Sequence, residues 1–197
     1  DHDDRMYLYR ELYMSGRTVA RHKVDICIYS RGETYEATIA DHDAEDRATL
    51  AEQTTVNDPA LTARLVTAGF SKDAAGNVLL PGISTRAADK RVKVGIEKVQ
   101  ERLRLSGNGK PRIFLMVDSL IEDDTGLKER FRPICTAAEF PSYVWLQAGD
   151  GRPAKEEPVK VNDHGMDALR YATMYLDGGP NTQAVTFGSM TKSSKWG

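Results

Sequence analysis

Long apolar runs are missing from this chain: no stretch approaches the ~20 residues that a membrane span requires, so no transmembrane helix is expected. The N-terminal Asp1-His2-Asp3-Asp4 is the opposite of a signal peptide, and the expected setting is cytosolic. Cysteine is scarce. Cys27 and Cys135 lie far apart without zinc or redox spacing, each in an apolar setting, the pattern of buried free thiols. His2, His22, His42 and His164 form no ligand pair at i, i+4 spacing on one helix, which counts against a zinc enzyme. Charge of one sign is not in excess either. With a net charge of −2 and 28% charged residues, any affinity for nucleic acid must come from local clustering. A phosphate-binding loop is also lacking: Ser106-Gly107-Asn108-Gly109-Lys110-Pro111 has no first glycine of the G-x-x-x-x-G-K-[ST] pattern, sets proline after its lysine and precedes a strand. Internal repeats are not apparent, and 197 residues suffice for one domain with a full core.

What is present reads as alternating strands and helices. Aromatic-rich Met6 to Tyr13 follows an acidic turn and predicts a strand leaving a hairpin whose first strand is not in this chain. Thr18 is placed to cap a helix with Ala20, Val24, Cys27 and Ile28 at helical spacing, ended by Arg31-Gly32, although Val24 to Tyr29 also fits a strand. Glu36 to Ala40 predicts a short buried strand. Asp43 is placed to cap a helix from Ala44 to Gln53, and Asp58-Pro59 opens another that ends at Gly69. Val92, Ile96, Val99 and Leu103 make one apolar stripe of an amphipathic helix. The continuous apolar run Ile113 to Val117 predicts a parallel strand covered on both faces, ending at Asp118. Glu139, Tyr143, Val144 and Trp145 suggest a helix or edge element, and the polar stretch from Gly149 to Glu157 a surface loop. Residues 177–197, poor in apolar side chains, read as a flexible tail after a domain spanning 1–176.

Acidic residues fall at positions suited to chemistry. Asp41 stands at the carboxyl end of a predicted strand, where open α/β sheets bind ligands; the alternative is that it only solvates a loop. Asp167 sits within a predominantly apolar helix that includes Ala168, Leu169, Tyr171, Ala172, Met174 and Leu176, and a carboxylate there needs a proton, a hydrogen bond or a cation. One turn earlier Asp163 can share its face, with His164 beside it; the alternative reading is an N-cap aspartate and an ordinary paired acid. Ser84 to Arg112 is the most basic segment, with nine basic residues against three acidic ones. Its Lys90, Arg91, Lys93 and Lys98 either bind a phosphate backbone or are simply solvated.

Four blocks then resemble one family in the right order: Tyr7-Leu8-Tyr9-Arg10-Glu11, the segment Ile39 to Arg47, Lys93-Val94-Gly95-Ile96, and Asn162-Asp163-His164-Gly165-Met166-Asp167-Ala168-Leu169-Arg170-Tyr171. The family is the C-terminal nuclease domain of the large terminase subunit of tailed bacteriophages and prophages. The resemblance, which covers most of Met6 to Leu176, implies an RNase H-like α/β fold, a central mixed sheet flanked by helices, with the first strand missing here. It implies a metal-dependent endonuclease that cuts concatemeric viral double-stranded DNA during packaging in the host cytoplasm. The expected partners are the terminase ATPase domain, the small terminase subunit and the portal. By resemblance, Asp41, Asp163 and Asp167 are catalytic, and with His164 they hold two Mg²⁺ or Mn²⁺ ions; hard cations of this kind favour oxygen ligands. The family's first catalytic aspartate lies ahead of the segment that begins at Asp1 and has no counterpart in this sequence, so weak activity or none is expected of this chain alone. A resolvase or recombinase of the same fold, or a non-catalytic module docking DNA or a portal, would carry the same acids to another end.

Overall fold

The computed structural model describes residues 4–41, 71–72, 74–75, 78–145 and 158–178. Among the described residues, six strands run β1 (Met6–Leu8), β2 (Ile39–Ala40), β3 (Ser71–Lys72), β4 (Val78–Leu80), β5 (Arg86–Ala87) and β6 (Ile113–Leu115). The helices described are α1 (Val19–Tyr29), α2 (Val92–Leu103), α3 (Thr125–Glu129), α4 (Thr136–Glu139), continued by a 3₁₀ turn over Phe140–Ser142, and α5 (His164–Asp177). The class is mixed α/β. Among the described residues the strands pair two by two, β1 with β6 and β2 with β5 in parallel and β3 with β4 antiparallel, rather than in the single central sheet expected from the sequence. The helices expected between Ala44 and Gly69, the Gly149 to Glu157 loop and residues 179–197 lie outside the described residues.

Thr18 caps α1 as its position predicts, its side chain accepting from the Arg21 N–H at 3.2 Å. Which face α1 buries is another matter. Its buried residues are Lys23 and Asp25, while Ile26, Ile28 and Tyr29 are exposed. Arg17 at 2.7 Å and Arg21 at 3.1 Å supply Asp25 with the cations that its burial requires. Met6 to Leu8 pair in register with Ile113 to Leu115, and an isolated bridge joins Glu11 to Leu120. The strand β6 is shorter than the apolar run suggests, because Asp118 takes a positive φ of 62° and Val117 ahead of it is 88% exposed.

The core joins α2, β6 and α5. Val99, Ile113, Met166 and Leu169 are buried together, with Met6, Phe140 and Tyr143 packed against them. Burial of each such side chain contributes roughly 1.5–3 kcal/mol. Two close approaches set the position of α5. A Cβ on Gly95 of α2 would lie 2.4 Å from Cγ of Arg170, and one on Gly165 would lie 2.9 Å from the Thr136 backbone of α4. Only glycine lets α2 and α4 come this near.

A third anchor ties the stretch before α1 to α3. The Asp124 carboxylate caps α3 through the Leu127 N–H at 2.9 Å and accepts the Ser15 N–H at 2.6 Å and its hydroxyl at 2.7 Å. The Ser15 backbone bond, then its hydroxyl, then the cap bond hold the Asp124 pKa down, from the ordinary 3.8 to about 2. A depressed folded-state pKa gives stability that is full above the unfolded value and lost as pH falls through the folded one. Thermal melts of the native protein and Asp124→Asn should therefore differ by a constant amount above pH about 4 and converge as pH falls towards about 2. An equal gap at both ends would remove Asp124 as the titrating group.

Candidate functional site

The N-terminus of α5 is built by a residue from another element. Asp163 occupies the N-cap position but its side chain makes no capping bond. The carboxylate of Glu139, at 0% exposure, accepts instead from the N–H groups of Gly165 at 3.0 Å and Met166 at 2.7 Å, and from the Tyr13 hydroxyl. Burial, followed by the bond to Glu139, pushes the Tyr13 pKa up, which keeps that hydroxyl a donor. With the first turn served from outside, the Asp163 side chain is left for other work. It is buried, and its Oδ2 has no hydrogen-bond partner.

From there α5 presents two faces. Met166, Leu169, Arg170, Thr173 and Met174 are buried, whereas His164, Asp167, Ala168, Tyr171 and Ala172 line a cleft of about 1610 Å³. Asp41, one residue beyond β2, lines the same cleft. The structure thus brings Asp41, His164 and Asp167 to one surface. The Lys160 ammonium lies 3.7 Å from Asp163 and 3.8 Å from Asp167, so these two carboxylates share one cation. Asp41 has a different one: Lys90 at 2.6 Å from Oδ1, while the Tyr171 hydroxyl donates to Oδ2 at 2.8 Å. Burial first, then this bond, raises the Tyr171 pKa to about 12, so the hydroxyl remains protonated and donating.

Arg170 wires the halves together. Its Nη2 donates to Asp167 at 2.7 Å and its guanidinium lies 4.6 Å from the Tyr171 ring centroid. The methylenes are seated against Gly95, so the α2–α5 packing fixes Asp167 directly and Asp41 through Tyr171.

A hard divalent cation suits part of this donor set. Asp163 Oδ2 is a buried oxygen without a hydrogen-bond partner, and the Lys160 ammonium stands where a cation between Asp163 and Asp167 would stand. Among the described residues no three acidic, histidine or cysteine side chains converge as a metal-holding group. His42 and Asp43, which continue the Asp41 segment, lie outside the described residues. Cys27 and Cys135 are free and half-buried.

Each of the expected phosphate-binding residues already has a partner. Lys90 pairs with Asp41, Arg91 makes bonds of 2.6 to 3.1 Å with Asp89, and Lys98 donates to the Asp177 carbonyl at 3.1 Å. Lys93 is exposed on α2. Arg102, one of the nine basic residues of the Ser84 to Arg112 segment, is 2% exposed; it bonds Asp177, and the Asp4 carbonyl and carboxylate at 2.9 and 3.0 Å. Asp177 is accordingly the last residue of α5 and one of its anchors, not the start of a tail. No described helix is long and apolar enough to cross a membrane. Glu139, Tyr171, Lys160 and Arg170 were not singled out by sequence reasoning as parts of the site. Comparisons with protein-family models, curated proteins and solved structures give no match.

Proposed function

We propose that this chain is the nuclease domain of a large terminase subunit, an RNase H-like, divalent-metal-dependent endonuclease that cuts concatemeric viral double-stranded DNA during packaging. The observation that carries the reading is the pairing of Asp163 and Asp167 on one cation at the edge of a cleft that also holds Asp41. Asp163, His164 and Asp167 would hold one Mg²⁺ or Mn²⁺ ion and Asp41 the other. Bound there, the ions supply a nucleophilic water and neutralise the leaving oxygen of a phosphodiester. The chain's own residues prepare this site. Glu139 takes over the capping of α5 and leaves Asp163 free, Arg170 orients Asp167, and Tyr171 orients Asp41 by donating to one of its oxygens. Lys90, Arg91, Lys93 and Lys98, once drawn from their present partners, would meet the DNA backbone. The ATPase domain, the small subunit and the portal are the proposed partners.

Calorimetric titration with Mn²⁺ tests the reading. The native chain should bind, and Asp41→Asn or Asp163→Asn should lower affinity at least about tenfold. Heat of binding unchanged in both variants would turn the acids into structural groups of a docking module.

A further inference from the structure

We propose that the cavity between α2, the segment 140–145 and α5 is a binding site for a small aromatic carboxylate, held by N–H groups of the buried Arg170 guanidinium. The site is distinct from the acidic cleft, and the proposal does not rest on the nuclease reading.

The cavity has a volume of about 170 Å³. Ile96 and Val99 of α2 and Met166 of α5 are buried on its lining, whereas Leu103, Val144 and Trp145 are exposed there, so it runs from the core out to solvent. An apolar void of about 150 Å³ is large enough to take up benzene. Walls of this kind alone would make no more than a packing defect.

Arg170 makes the difference. It is 2% exposed, and among the described residues it is the one charged group on the lining. Its Nη2 donates to Asp167 at 2.7 Å and its guanidinium lies 4.6 Å from the Tyr171 ring centroid, but Nε and Nη1 are buried without a hydrogen-bond partner. Asp167 and Tyr171 line the acidic cleft, so the contacts that Arg170 does make lead away from the cavity. Tyr143 adds a further donor on the lining. Burial pushes its pKa up and keeps the phenol protonated; it stands near enough to Arg170 to feel that charge, yet its Oη makes no hydrogen bond of ordinary geometry.

Buried donors without acceptors are costly. Here the unmet atoms are all donors and the lining charge is positive, so the complement is an anionic acceptor on a flat apolar body. A carboxylate forms the stronger, charge-assisted bonds with a guanidinium, and a benzene ring suits the space beside Ile96, Val99 and Met166. Because Nη2 of the same guanidinium holds Asp167, an occupant would sit one side chain away from the acids of the cleft.

Methyl-resolved NMR and calorimetry on the full chain, with benzoate and toluene as probes, test the site. Benzoate should bind saturably with a Kd of about 1 mM or below, the range open to so few atoms, and should shift the Ile96, Val99 and Met166 methyl signals. Toluene has the ring without the carboxylate and should bind at least about tenfold more weakly. Ile96→Phe fills the cavity and should abolish benzoate binding. Arg170→Lys keeps a charge but removes Nε and Nη1; it should weaken benzoate at least about tenfold and leave toluene unchanged. If either variant unfolds, the benzoate-to-toluene ratio on the native chain decides alone. No benzoate-induced shift at those methyls would mean that water serves Arg170, and toluene binding as tightly as benzoate would mean a packing defect only. Either result, or benzoate binding that survives both substitutions, overturns the proposal.

Discussion

Asp167→Asn should abolish Mn²⁺-dependent nicking of supercoiled plasmid, lowering a native rate that is itself slow by a hundredfold or more, about 3 kcal/mol of transition-state stabilisation. The asparagine keeps the shape of Asp167, and its carbonyl can still accept from Arg170, now 2.7 Å from Oδ1. What it loses is the charge shared with Asp163 on one cation. Arg170 is buried, so a neutral partner also costs some stability, about 1–3 kcal/mol. Asp41→Asn separates the two effects: Asp41 is more exposed, its loss should leave the melting temperature nearly unchanged, and nicking should still stop. A slow, EDTA-sensitive nicking activity that survives both substitutions would place the chemistry elsewhere.

The largest effect on folding is expected at Glu139. Removal of its carboxylate in Glu139→Ala leaves the Gly165 and Met166 N–H groups and the Tyr13 hydroxyl without their acceptor in a buried site. Each such donor costs about 1–3 kcal/mol, so a loss of about 4 kcal/mol is expected, against a total stability of roughly 5–15 kcal/mol. For a chain of this length that is a fall in melting temperature of roughly 8–16 °C. Glu139→Gln keeps one acceptor oxygen and should cost less than half as much. Equal melting temperatures for the alanine variant and the native chain would mean that water replaces the carboxylate at the start of α5.

Those two residues mark the limits of what could be read in the sequence. The α5 start and most of the α2 stripe were legible because their signals are local: Asp163 before an apolar helix, and Val92, Ile96 and Val99 at helical spacing, whereas Leu103 of the same stripe is exposed. The Thr18 cap was legible for the same reason. Glu139 was not, since it serves N–H groups 26 and 27 positions away, and a side chain bonded to distant backbone leaves no periodic trace. The burial of Arg102 was not legible either, because periodicity cannot register partners 75 and 98 positions off. The face of α1 was misjudged likewise: apolar spacing pointed to Ile28, whereas ion pairing allowed Asp25 to be buried instead. At the site, acid types and strand ends were visible in the sequence, and the lysines and tyrosine that now satisfy those acids were not.

Arg102 has a further consequence. One guanidinium holds Asp4 by its carbonyl and carboxylate and Asp177 by its carboxylate, so both ends of the described fold lie within the reach of a single side chain. Asp4 and Asp177 are therefore neighbours in space. A circular permutant is therefore feasible: a linker of about five residues could splice these ends, and new termini could open in the exposed Ser106–Lys110 turn without stretching the backbone. The same adjacency makes Arg102 the point at which tension on either flanking segment would first be felt, and α5, with the acids of the cleft along its length, is the element that would be pulled.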